Sequence, residues 1–198
     1  MNPSAEDRMP PIPRERMTEA QRAAADALIV GPRKGVKGPF IPLLRSPELM
    51  DRLQRVGEYL RFRNALPVRL SEFATLLVAR QWTQQFEWAV HVPLAIAAGT
   101  APATIDALRE GRRPATMSED EAVVHDLVAE LMARKSVSDA LYAEGVSRLG
   151  EHGVLDLLGL VGYFTTISMV LNVARTPADA VEGVAPLPAA APQASIAP

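Results

Sequence analysis

Cysteine is absent from the 198 residues. That excludes disulfides, thiolate metal sites, a catalytic thiol and any dithiol redox cycle. Histidine is scarce, with three in the chain, and aromatics make up only 5%. Charge of one sign is lacking too: 21 basic residues face 23 acidic ones, and no basic patch interleaved with aromatics recommends nucleic acid as a partner. The first sixteen residues have four prolines and no apolar core, so they do not read as a signal peptide. The most apolar run, 154–173, approaches membrane-span length but contains Asp156, Thr165, Thr166, Ser168 and two glycines. It reads as a helix buried in protein, and the expected location is cytoplasmic. Strand alternation is missing throughout, which predicts an all-α protein.

What is present is helix punctuation. Residues 1–17 read as an extended arm, 18–176 as a single all-α domain, and 177–198 as a disordered Ala- and Pro-rich tail. Thr18 should cap a first helix that stops at Gly31. The segment GPRKGVKGPFIPLLR should be a loop, with Gly38-Pro39-Phe40 turning an aromatic inward. Ser46-Pro47-Glu48 starts a helix to about Arg63, and Leu66-Pro67 precedes a third, apolar and central, from Val68. A break near Trp82-Thr83 should be followed by a fourth helix, capped by Thr83, kinked at Pro93 and closed by Gly99. Helices should follow from Pro102 to Arg109, from Ser118 to about Lys135, from Ser138 to Leu149 and from Gly153 to Ala174. A shift of 81 residues lays Phe86–Val92 over Ile167–Val173 with matching apolar positions. That echo fits a duplicated helical hairpin, although two buried helices also match by chance.

Leu66 to Gly99 holds the residues of greatest chemical interest. On a helix, Gln84, Glu87 and His91 share one face, and Glu72 lies nineteen residues before His91 on the preceding helix. A hairpin would bring Glu72 to His91, where a buried carboxylate orients the imidazole and raises its basicity. The plainer alternative pairs Glu72 with Arg69 or Arg80 and leaves His91 as a satisfied core residue. A metal centre needs more nitrogen or sulfur than Glu72, Glu87 and His91 supply, since His125 and His152 lie on other helices; no metal is expected.

These residues resemble a known family. Leu66-Pro67, Arg69, Glu72, Ala79-Arg80, Phe86-Glu87-Trp88-Ala89-x-His91 and Ala98-Gly99 are similar to the carboxymuconolactone decarboxylase family, which shares its fold with the alkylhydroperoxidase D-like proteins. Gly38-Pro39-Phe40, Ser46-Pro47-Glu48-Leu49, Leu160-Val161-Gly162-Tyr163 and Asn172 extend the resemblance over residues 35–175 or so. It implies an alkylhydroperoxidase D-like helical bundle. In the peroxidase branch a glutamate, a Cys-x-x-Cys pair and a histidine work together. Carried onto this chain they fall on Glu72, Gln84, Glu87 and His91, so the thiols are missing and dithiol peroxide reduction is excluded.

The decarboxylase branch implies no cofactor, because the conjugated lactone carbonyl takes up the charge left by carbon dioxide. His91 would be the acid, poised by Glu72 or Glu87. Arg80, or else Arg69, would hold a substrate carboxylate, unless each serves a structural ion pair. Gln84 and Trp88 complete the expected substrate-binding set with Tyr163, though Trp88 and Trp82 equally suit core or subunit interface. The expectation is a proton-transfer enzyme, decarboxylase or isomerase, acting on a small unsaturated lactone or carboxylic acid. The alternative is a non-catalytic helical oligomer that binds a small ligand. The resemblance also implies a homo-oligomer, trimer or hexamer.

Overall fold

Thr18 opens the first helix with a reciprocal capping box: its hydroxyl accepts from the Gln21 N–H, and the Gln21 side chain accepts from the Thr18 N–H. The computed structural model describes residues 6–189. Eight helices follow one another: α1 (Glu19–Val30), α2 (Phe40–Leu43), α3 (Pro47–Phe62), α4 (Val68–Gln81), α5 (Gln85–Ala97), α6 (Pro102–Arg109), α7 (Glu119–Arg134) and α8 (Asp139–Ala174). No strand occurs among the described residues, and the protein is all-α.

Helix α4 is the hub. Nine of its fourteen residues are buried, so it cannot present a solvated face and must be packed on all sides. It packs on α5, α8, α7 and α6, while α3 closes over α8 and α1 over α3. Helix α8 is broken at Gly150, whose φ of +69° belongs to the left-handed region that glycine enters freely. The expected stop at Leu149 is matched by this break: the chain leaves helical geometry at Gly150, and α8 is two helical limbs joined there. Its second limb carries Leu157, Leu160, Phe164, Ile167 and Leu171 into the core. This helix is long and apolar enough to cross a membrane, yet 56% of its most apolar window is buried inside the bundle.

Several local expectations change. The segment 31–45 is not wholly loop, because Phe40–Leu43 forms one helical turn that buries Phe40 and Leu43. The Ser46 side chain makes no capping bond; Pro47 at the first position sets the start of α3 instead. Thr83 does not cap α5. It sits at φ +48°, and Gln84 caps, accepting from the Phe86 N–H. Helix α5 continues through Pro93, at the cost of the N–H that proline lacks. The 81-residue echo is not a duplicated hairpin. It would place the turn at Trp82–Gln84 onto Tyr163–Thr165, which lie within the unbroken second limb of α8.

Both flanking segments are tied down. In the N-terminal arm, the Arg8 N–H donates to the Ala174 carbonyl at 2.8 Å, and Arg45 donates to the Pro10 carbonyl at 2.7 Å. After Pro177, residues up to 189 strap across the start of α5, where composition alone predicts disorder. Gln85 and Leu187 exchange two hydrogen bonds of 2.8 and 3.0 Å, and the Trp88 indole N–H donates to the Ala185 carbonyl at 3.0 Å. Leu187 is buried. One leucine and a side-chain amide that pairs like a backbone suffice to dock a segment already extended by proline. The part of the expected disorder that falls on 190–198 lies outside the described residues. Removing the chain from residue 177 onward should destabilise the fold by about 2–4 kcal/mol, from one buried leucine and one orphaned indole donor, read as a lower denaturant midpoint.

Candidate active site

The turn between α4 and α5 is made by Trp82 in helical geometry, Thr83 in left-handed geometry and Gln84 as cap. It folds α5 back along α4, so Glu72 on α4 meets His91 on α5. His91 Nδ1 lies 2.6 Å from Glu72 Oε2, and His91 Nε2 lies 3.3 Å from Glu87 Oε2, one turn earlier on α5. All three side chains are buried. The edge of Phe164, on α8, stands against the imidazole with ring centroids 5.1 Å apart at 86°. The imidazole is therefore bracketed by two carboxylates and braced by an aromatic ring.

Burial is the largest single influence on His91 and pushes its pKa down. Hydrogen bonds and charge from Glu72 and Glu87 push it up and together win, so the pKa ends above its ordinary value. A group raised on folding stabilises the native state fully below its unfolded pKa, about 6.5, and loses that contribution as pH climbs through the higher folded value. The melting temperature should accordingly fall as pH rises from about 6.5 toward 9, and His91→Gln should remove this alkaline loss; thermal melts across that range measure it.

Glu87 and His91 line a cavity of about 340 Å³ bounded by the loop before α2, the end of α3, α5 and α8; Tyr163 also lines it. Glu72 stands behind the imidazole and does not reach the cavity. Basic residues from outside the α4–α5 hairpin complete the wall: Arg33 and Lys37 from the loop, Arg61 from the last turn of α3. The Arg33 guanidinium lies 4.3 Å from the centre of the Phe40 ring and 3.5 Å from the Tyr163 hydroxyl. Burial pushes the Tyr163 pKa up, with Arg33 opposing it.

The other expected site residues stand elsewhere. The Gln84 amide is spent on structure, accepting from Phe86 and donating to Asn172 at 2.8 Å. Trp88 is in the core at 1% exposure, under the C-terminal strap, and Trp82 donates to Thr165 at 3.4 Å. Arg69 pairs with Glu121 at 2.7 Å and donates to Ser118, so it ties α4 to α7. Arg80 lies against Gly111, where its guanidinium would be 3.0 Å from a Cβ. None of these five lines the cavity, and Glu72 pairs with neither arginine. Among the described residues no three His, Asp or Glu side chains form a group that could hold a metal ion.

Sequence reasoning passed over Arg33, Arg61 and Phe164. The available signal was Arg33 and Lys37 inside a glycine-rich loop just before Gly38-Pro39-Phe40. Arg61 gave none, since it reads as the solvent face of an amphipathic helix.

No family model matches the sequence, and no curated protein matches it. Solved structures do. The chain is similar to an uncharacterised peroxidase-related protein from Ralstonia eutropha JMP134, described as an alkylhydroperoxidase AhpD core, with TM-score 0.72 and 11% identity over 89% of this chain and 94% of that one. It is also similar to an uncharacterised peroxidase-related protein from Silicibacter sp. TM1040, with TM-score 0.70 and 12% identity over 91% and 96% of the two chains. At such identities the likeness establishes architecture alone. The chain has the all-α, alkylhydroperoxidase D-like fold of these solved structures.

Proposed function

We propose that the protein is a cofactor-independent proton-transfer enzyme, a decarboxylase or isomerase acting on a small unsaturated lactone or carboxylic acid. The observation that carries this reading is His91 held between Glu72 and Glu87 at the wall of a cavity that also presents guanidinium groups. The two carboxylates raise the His91 pKa and so favour the protonated imidazole, the form suited to donate. In a decarboxylation, the carbon–carbon bond to the departing carbon dioxide breaks and its electrons enter the conjugated carbonyl as a dienolate. The imidazolium proton then forms the new carbon–hydrogen bond. His91 recovers a proton from solvent by way of Glu87, which faces the cavity, while Glu72 holds the ring in place. An isomerisation uses the same parts, with Glu87 taking a proton and His91 returning one. Basic groups on the wall stabilise the developing oxyanion.

Exposed apolar side chains on α5 and α8, among them Val90, Leu94, Ile96, Met169 and Val173, support a homo-oligomer, which the family resemblance would make a trimer or hexamer. A cytoplasmic location is part of the same proposal; burial of most of the one span-length apolar helix among the described residues speaks only against that helix crossing a membrane. Turnover of a panel of muconolactone-type acids by wild type and His91→Ala tests the assignment. Activity lost in the variant supports it; equal rates for the two proteins on any acid that turns over would overturn the role of His91, and no turnover of any acid by either would leave ligand binding as the function.

A further inference from the structure

One wall of the cavity carries charge that the relay does not use. Arg33 and Arg61 both line it, and among the described residues no carboxylate forms an ion pair with either. The buried Nε atoms of both lack a hydrogen-bond partner. Neighbouring arginines on α3 and at its C-cap behave differently: Arg52 pairs with Glu48, Arg55 with Asp51 and Arg63 with Glu58. The charge of Arg61 also acts on Arg33, opposing its protonation after burial, the larger influence. Glu58, the acid that acts on Arg33, is the one already engaged with Arg63 at 3.6 Å. Two like charges thus face a shared, half-buried cavity, and an anion placed there is attracted by both.

The chain also makes room for this arrangement. Gly57 on α3 packs against the Tyr163–Arg33 pair, where a Cβ would lie 2.2 Å from the Tyr163 hydroxyl and 2.8 Å from the Arg33 guanidinium. Stacking on Phe40 and the 3.5 Å approaches to Tyr163 and the Gln54 carbonyl fix Arg33 before any ligand arrives. Besides the His91 imidazolium, which Glu72 offsets from behind, three cations (Arg33, Lys37 and Arg61) stand against the single lining carboxylate, Glu87. A monoanion would leave one guanidinium without a counter-charge.

Building on the proton-transfer reading, the geometry points to Arg33 and Arg61 as the residues that hold the substrate's acid groups and set a preference for a dianion over a monoanion. The carboxylates anchor on this wall, and the conjugated carbon chain lies toward His91 and Glu87. Neither arginine belongs to the α4–α5 hairpin that bears the relay, so charge recognition and proton transfer can be altered separately.

Calorimetric titration with muconate and sorbate tests this, because the two share a six-carbon diene and differ by one carboxylate. Wild type should bind muconate at least about tenfold more tightly than sorbate. Arg33→Gln and Arg61→Gln should each remove that difference, Arg33→Lys should retain part of it, and Arg52→Gln should leave it intact. Thermal melts of each variant confirm that it is folded. Equal affinities for the two acids in wild type, no binding of muconate, or a preference that survives both glutamine variants would overturn the assignment. The assay reads binding alone. A chain that binds muconate through both arginines and converts no acid keeps this clamp and contradicts the enzyme; a chain that converts acids while both variants bind muconate normally does the reverse.

Discussion

Replacing His91 with glutamine should lower kcat on an unsaturated lactone acid by about 10²- to 10⁴-fold, the usual worth of a positioned acid or base, with KM changed far less. Glutamine retains a polar end that can face Glu72, so the cavity keeps its shape, but it cannot give up a proton at neutral pH. The substrate's acid groups lie toward the basic wall, which the substitution does not touch. Steady-state kinetics separate the two constants. Glu72→Gln should act differently, since Glu72 stands behind the ring and positions it. Losing its charge removes an influence that raises the His91 pKa, so the alkaline limb of the pH–rate profile should move to lower pH. A merely structural glutamate would lower activity without moving that limb.

Trp88→Ala should cost about 3–5 kcal/mol of stability, the range for deleting a large buried aromatic. Trp88 is 1% exposed and lies in the main core cluster, so the neighbouring helices can collapse only partly into the gap. The substitution also removes the donor to Ala185 and loosens the strap that Gln85 and Leu187 hold. Trp88→Phe isolates the second effect: the ring volume is mostly kept, the hydrogen bond goes, and the loss should be about 1 kcal/mol. Urea unfolding measures both. A tryptophan serving as pocket wall would instead weaken ligand binding and leave the unfolding midpoint nearly unchanged.

Local signals of capping and glycine placement located most helix ends. Thr18 and Ser118 both form capping boxes, Gly99 and Gly111 both take positive φ where helices stop, and the apolar density of α4 marks it as the hub. The pairing of Glu72 with His91 was readable from helical spacing plus one hairpin. The cavity was not. Its wall joins a loop at Arg33, a helix end at Arg61 and a distant helix at Tyr163, and no periodicity relates segments that meet only through packing. Arg80 looked nearer on the sequence because it shares a helix with Glu72, but eight residues along a helix is about 12 Å, and it ends against Gly111. The strap escaped notice for a related reason. A segment rich in alanine and proline has little to bury by itself, and its order comes from Gln85 and Trp88, a hundred residues away.

The most direct test is a nitrogen-15 NMR titration of the His91 ring in the wild-type protein. Bracketing by Glu72 and Glu87 predicts an imidazolium that keeps both ring protons above pH of about 6.5, with a midpoint that falls in Glu72→Gln. A ring that titrates at or below about 6.5 in wild type, and is indifferent to Glu72, would contradict it.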